Sequence, residues 1–514
     1  MKVTKIRFGK NKSSLVVALL VASLVAPWGA PSSTAALGTL KYGYTGGGLV
    51  SLNPIQITSG TQKVVAPLLF DTLVKIDQTG KLVPSLAESW SSSKDQKTWT
   101  FNLRTGVTYH NGRRFSAHDV MYNLQWISNP ANKSSQANEV GKILKYNISG
   151  MNKISIVLKD PNSQFPGSLV FIYMADILNI KDSRIKYSAN GTGPYKVTEF
   201  VSDDHVYMVA NSRYWGDAPK LDGIKIMRSP DATSALLSLQ SGALDMVWNV
   251  APGSIPALRS NANIDFLNAN VFAGVHVLML DTKSAPFNNV KARQALSYAL
   301  DRATIVKTAF GGVGEVSLTS TPLGTKDPSY KSGLTNYTFD LDKAKALFAE
   351  AGIKSGDTLT FWTLAGRRFE WVAMAQILQS DLKKIGINLD IQPQETASWL
   401  GKFYPYPKDF PNTIVANFLS PAPINAYQMN VYTTGGCECK WDNKTYDGLM
   451  KSALAATDAT AYNNILGQMQ TMYNQEQPSL VVLTAANITA YKKTVKGAWL
   501  LGEGTPQLAG ASLG

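Results

Sequence analysis

The stretch 359–391, LTFWTLAGRRFEWVAMAQILQSDLKKIGINLDI, changes its hydrophobic period twice. Leu359 and Phe361 stand two apart, the spacing of side chains on one face of a strand. Trp371, Met374, Ala375, Leu378, Leu382 and Ile385 then recur at three- and four-residue intervals and trace a single helical stripe. Gly386 suits the left-handed position that ends a helix, and Ile387, Leu389 and Ile391 alternate as a second strand. A helix enclosed by two such strands is a crossover between parallel neighbours, so part of this chain holds parallel sheet and the fold class is mixed α/β.

The same two periods recur elsewhere. Trp99, Phe101 and Leu103 alternate, as do Ile154, Ile156 and Leu158, and both runs read as half-buried strands. Between residues 291 and 310, Ala295, Leu296, Ala299, Leu300, Ala303 and Val306 keep helical spacing. A further helix is expected over 341–351, with Asp340 as its N-cap and Gly352 as its stop. No short-period repeat and no long linker divides the chain.

At 514 residues, 44% hydrophobic and 17% charged, with mean hydropathy near zero, the chain is a large globular protein of several domains. Two cysteines exclude a disulfide scaffold, and scattered Gly and Pro exclude collagen-like architecture. Residues 1–14 carry Lys2, Lys5, Arg7, Lys10 and Lys12 with no acid. An apolar run over 15–26 follows, then small residues at Ser33, Thr34, Ala35 and Ala36. Basic, apolar and small in that order is a secretory signal peptide, with residues 1–35 removed on export. The run is shorter than the ~20 residues a membrane-spanning helix needs. No cysteine follows it for lipid attachment, and no twin-arginine pair precedes it. Without the signal the formal charge falls from +14 to +9. That excess is not gathered into a polybasic arm, so nucleic acid is not expected as a partner.

A search for catalysis returns negatives. His110, His118, His205 and His276 fall in no HExxH pattern, and neither GxSxG nor a Walker phosphate loop is present. The glycines at 46–48 read as a tight turn at a strand end, and His110 and His118 flank NGRRF, where Asn111-Gly112 marks another turn. No enzyme activity, metal or cofactor is expected. Cys437 and Cys439 stand one residue apart, which allows a small disulfide, free thiols or two soft metal ligands. Aromatics supply the positive signal: Trp248-Asn249, Trp399, Tyr404, Tyr406 and Tyr427 stand beside polar residues in expected loops. Core packing explains any one of them. As a group they suit a concave site that stacks flat ligand faces.

Seven segments, in order, carry a family resemblance: LVPSLAESW (82–90), WTFNLRTGVTYHNGRRFSAHDV (99–120), GTGPYKVTEF (191–200), NSRYWGDAPKLDGI (211–224), LQSGALDM (239–246), APFNNVKARQALSYALDR (285–302) and YKKTVKGAW (491–499). Through them nearly the whole mature chain resembles the extracytoplasmic solute-binding proteins that feed ABC importers, in the peptide/nickel/oligosaccharide class (family 5). The resemblance implies a two-lobed, periplasmic-binding-protein type II-like α/β fold with an extra inserted domain, mixed sheets and a hinge. Domain I would comprise residues 36–60, 191–274 and 489–514, domain II residues 61–190 and domain III residues 275–488. Hinge crossings would lie near 271–277 and 485–491. The implied function is capture of a small molecule by lobe closure and delivery to a membrane permease, by a monomer in the periplasm or on the outer face of the cytoplasmic membrane.

Ligand class is read from departures. Dipeptide and oligopeptide binders of the family anchor the peptide ammonium on an aspartate after Gly-Trp; here residues 416–427 read ANFLSPAPINAY, with Asn417-Phe418 in that place and no acid. Family dipeptide binders also hold the ligand carboxylate with an arginine before a domain III helix, where Arg367 and Arg368 stand. The expected ligand-binding residues are therefore Trp248, Asn249, Arg367, Arg368, Trp399, Asn417, Phe418, Asn425 and Tyr427. A peptide or peptide-like ligand is the first reading. An oligosaccharide, held by aromatics and neutral amides, is the second; a nickel chelate and a sensory role follow.

Overall fold

The computed structural model describes residues 38–514 except 46–48, 58, 133, 135, 142, 249, 268–273, 326, 328, 365–367, 396–397, 400–408, 420–428, 486–487 and 502–503. The expected signal peptide and the glycine turn at 46–48 lie outside the described residues.

The 359–391 unit forms as its periodicity requires. Strands Thr358–Leu364 and Asn388–Gln394 run parallel, with Leu359 opposite Leu389 and Phe361 opposite Ile391. The helix between them spans Phe369–Lys384, and Gly386 takes the left-handed conformation (φ +85°) that turns the chain into the second strand. Thr413–Leu419 joins on the other side, parallel to 358–364. Gly274–Leu280 follows, antiparallel to both 413–419 and Ser479–Ala485, and Glu315–Val316 closes the edge of a six-stranded mixed sheet.

A seven-stranded sheet gathers strands from distant parts of the chain. Its order is Ile264–Leu267, Thr489–Lys492, Met246–Trp248, Thr39–Tyr44, Gly223–Arg228, His205–Ala210 and Tyr195–Val201. A four-stranded antiparallel sheet, ordered Ala87–Ser92, Thr98–Leu103, Lys153–Leu158 and Ile143–Ile148, lies within the 61–190 stretch. Apolar side chains divide accordingly. One large core draws only on residues 275–483; a second draws on 40–246 and 495–511 and so serves both the four- and seven-stranded sheets. The chain passes from the seven- to the six-stranded sheet between Leu267 and Gly274, and returns between Ala485 and Thr489. Away from these crossings, the backbone N–H of Ser163 donates to the Leu454 carbonyl at 2.6 Å and bridges the two bodies.

The motif segments are structural joints. Asp71 accepts from Thr192 Oγ1 (2.8 Å), Tyr214 Oη (2.9 Å) and Trp215 Nε1 (2.9 Å), which pins segments 191–200 and 211–224 to the helix Gly60–Leu69. His110 Nδ1 accepts from Gly191 N (3.4 Å) while Nε2 donates to Gly193 O (3.1 Å); burial pushes its pKa down to about 4, so it works as a neutral clamp. Beside it Gly112 turns at φ +91°, and Arg113 pairs with Asp176 (2.7 Å) and Asp119. The helical run over 291–310 divides into Val290–Tyr298 and Arg302–Ala309. Asp301 caps the second by accepting from Thr304 N (2.9 Å), an arrangement worth about 1 kcal/mol. Buried Arg302 reaches back to the Val481, Ser297 and Tyr337 carbonyls, and Arg293 to those of Phe287, Glu476 and Gln477. Arg302 thus bolts its helix to the six-stranded sheet, and Arg293 ties the preceding helix to the end of the helix Ala459–Glu476.

Candidate ligand-binding site

Arg368 is the N-cap residue of the Phe369–Lys384 helix and stands at the C-terminal ends of the parallel strands 358–364 and 413–419. Crevices outside such strand ends are where open α/β sheets bind ligands. Its guanidinium lies 5.3 Å from the Trp371 ring centre and 5.3 Å from that of Phe418, within cation–π range of both. Glu370, in the first helical turn, holds one guanidinium nitrogen at 3.3 Å. The Arg368 side chain stays 26% exposed, so the cation is reachable from solvent.

The aromatic cradle is itself supported. Trp371 Nε1 donates to His276 Nδ1 (3.1 Å), which places the His276 proton on Nε2. Burial, reinforced by the nearby Arg368 charge, holds the His276 pKa well below its usual value, and the ring is neutral. Its ring centre lies 4.6 Å from Phe310 and 4.9 Å from Phe418. Phe418 in turn lies against Gly274: a Cβ there would come within 2.1 Å of Phe418 Cζ, so only glycine fits. On the same strand as Phe418, Asn417 is 3% exposed. Its Oδ1 accepts from Phe418 N (2.8 Å), while Nδ2 has no hydrogen-bond partner among the described residues. A cation at a helix N-terminus, walled by aromatic rings, suits a carboxylate attached to an apolar group.

Of the residues expected from the sequence, Arg368 and Phe418 come together here; Asn417 is next to Phe418 on the strand, but alternation turns its side chain to the other face. Trp248 sits on the seven-stranded sheet, where its Nε1 donates to Gly504 O (3.1 Å) and its ring packs over Gly60. Trp399 is buried in the core of the 275–483 body. Asn249, Arg367, Asn425 and Tyr427 lie outside the described residues, as do Tyr404 and Tyr406. Cys437 and Cys439 are joined as a disulfide, buried beside Lys440, which bridges Asp281 (2.9 Å) and Asp409 (2.8 Å). Sequence reasoning missed His276, Trp371 and Phe310. The signals were a histidine inside the apolar run GVHVLML and a tryptophan three residues after Arg368.

The family described as bacterial extracellular solute-binding proteins, family 5 Middle, matches residues 81–436. The chain belongs to this family. The family 5 chain is 28% identical over 493 residues to the dipeptide-binding protein of Escherichia coli, covering 87% of this chain and 89% of that one. It is 26% identical over 490 residues to heme-binding protein A of Haemophilus influenzae, covering 87% of each. Among solved structures it resembles the dipeptide-binding protein of Pseudoalteromonas in complex with Met-Leu, with a TM-score of 0.77 and 23% identity, covering 92% of this chain and 100% of that one. At that identity the likeness establishes the fold: mixed α/β, of the periplasmic-binding type. Among the described residues of this family 5 protein, no helix is long and apolar enough to cross a membrane.

Proposed function

We propose that this family 5 protein is the ligand-capturing component of an ABC importer and that it takes peptides or peptide-like molecules by a carboxylate. The observation that carries the reading is Arg368, a partly exposed cation held at a helix N-terminus between Trp371 and Phe418. The relatives named for dipeptides and for heme, which is itself a carboxylate-bearing ligand, support it. Residues 36–60, 191–274 and 489–514 with the inserted 61–190 form one lobe, and 275–488 the other. Closure about the crossings near 271–277 and 485–491 encloses the ligand, and the closed form is what the permease accepts. From the first lobe we assign Trp248, half-buried at the end of its strand, to the same ligand; Trp399, buried in the core of the second lobe, is left out of the site. The signal peptide directs export, and a single copy suffices because both lobes belong to one chain.

Asn417-Phe418 offers no carboxylate to a free ammonium, so the carboxylate end is the main anchor. The test is calorimetric titration with a dipeptide panel and the matching C-terminal amides. Arg368→Gln removes a charge-assisted hydrogen bond, worth about 1.5–3 kcal/mol, and weakens free-acid ligands about 10- to 150-fold while leaving amides unchanged. Equal wild-type affinity for acid and amide overturns the reading. Native mass spectrometry of protein purified without added ligand identifies the bound class directly.

A further inference from the structure

Positive charge is concentrated in one part of this chain. Residues 61–190 contain 16 Lys and Arg against 9 Asp and Glu, a net +7; the remaining residues from 36 onward contain 29 against 27, a net +2. The acids of the 61–190 stretch are partly spent inside it, since Asp119 and Asp176 are buried against Arg113. Elsewhere several surface cations meet carboxylates: Lys283 that of Asp442 (2.8 Å), Lys291 that of Glu350 (2.6 Å) and Lys492 that of Asp245 (2.9 Å).

The hairpin formed by strands Ile143–Ile148 and Lys153–Leu158 shows the imbalance most clearly. It lies at one edge of the four-stranded sheet, and no acid occurs between residues 141 and 158. Lys145 and Lys153 are exposed and have no carboxylate partner among the described residues. Lys145 is paired with Val157, and Lys153 with Asn102, whose neighbours on that face are Thr100 and Ser155. The one acid in the four strands, Glu88, stands on the opposite edge strand, 4.0 Å from Arg104. Within two residues of each lysine along the chain is a large apolar side chain exposed to solvent: Leu144 is 65% exposed and Met151, in the turn, 51%.

We propose that this hairpin edge is a docking surface for an anionic phospholipid bilayer. Charge selects a negative partner, because lysines without carboxylate neighbours gain most from an anionic surface. The apolar pair selects the lipid interface over a hydrated polyanion: Leu144 and Met151 gain nothing from a polymer in water but can leave water among lipid headgroups, while the lysine ammonium groups remain at the phosphates. Docking there would keep a binding protein near its membrane without using the ligand site around Arg368. It does not depend on what that site binds.

The test is co-sedimentation of the mature chain with vesicles of phosphatidylcholine, with and without phosphatidylglycerol, at low and physiological salt. Binding is expected only with phosphatidylglycerol, stronger at low salt. Lys145→Glu/Lys153→Glu is expected to weaken it at least ~25-fold, from about fivefold per lysine removed. Leu144→Ser/Met151→Ser is expected to weaken it several-fold with the charge intact. Both double variants alter exposed side chains, so circular dichroism and thermal melting should match wild type. No dependence on phosphatidylglycerol at low salt overturns the proposal, and so does full binding by the charge-reversed variant. Binding to soluble dextran sulfate that equals vesicle binding and ignores Leu144→Ser/Met151→Ser also overturns it, in favour of a polyanion.

Discussion

Gly274 and Phe418 couple backbone space to the proposed ligand site. With a Cβ at position 274 only 2.1 Å from Phe418 Cζ, Gly274→Ala must push the ring away, and its partners His276 and Arg368 with it. Overpacking of this kind costs about 1–3 kcal/mol. The expected outcome is a lower melting temperature together with weakened ligand binding; normal affinity in a folded variant would separate Phe418 from the site. His110 supplies a second prediction. Its pKa is about 4 in the fold against 6.5 for the free side chain, so between those values the unfolded chain binds a proton that the native clamp refuses. Stability from this residue is complete above about pH 6.5 and is lost as pH falls toward 4, by about 3 kcal/mol in all. His110→Gln should flatten that part of the stability curve, measured by urea unfolding across the range.

Among the elements, the helix Lys444–Ala455 and the segment before the short helix Phe165–Ser168 make a contact between bodies away from the crossings. The last carbonyls of a helix lack partners within it, and here Ser163 N takes the one from Leu454 at 2.6 Å while Ser163 Oγ donates to Ala453 O at 3.5 Å. On the proposed closure, this contact would form only when the two bodies are together, and so would bias closure without touching ligand. Ser163→Pro removes the N–H. One backbone hydrogen bond is worth about 1 kcal/mol, which translates into about fivefold weaker binding, carried in the dissociation rate. Small-angle scattering should show a larger unliganded radius for the variant. An unchanged off-rate would mean that this contact does not set the balance.

For the whole molecule, two apolar cores meet through two short crossings, so a ligand held between them stabilises both by mass action. At a ligand concentration 100 times Kd the gain is about 2.7 kcal/mol. Scanning calorimetry with a saturating free-acid dipeptide should therefore raise the transition of the whole chain. Stabilisation of one transition while the other stays in place would mean that ligand contacts a single body. The uneven charge belongs to this scale too, because neither the ligand site nor the hinge requires it.

What the sequence determined by itself is everything set by local geometry. The 359–391 stretch announces strand, helix and strand because side-chain period follows directly from backbone rise and twist, and Gly386 ends the helix because a Cβ disfavours φ +85°. The family resemblance singled out Arg367 and Arg368 as candidate anchors for a ligand carboxylate, and the ordered motif segments pointed to family and fold. Their individual roles were not legible: nothing local says that Thr192, Tyr214 and Trp215 converge on Asp71, or that Arg293 and Arg302 end on carbonyls almost two hundred residues away. The aromatic cradle is the clearest case. His276 reads as one polar residue in an apolar strand until the six-stranded sheet sets that strand between 413–419 and 479–485, opposite Phe418 and under Trp371. Strand order and register follow from which faces must be buried together, and that is decided by the whole chain at once.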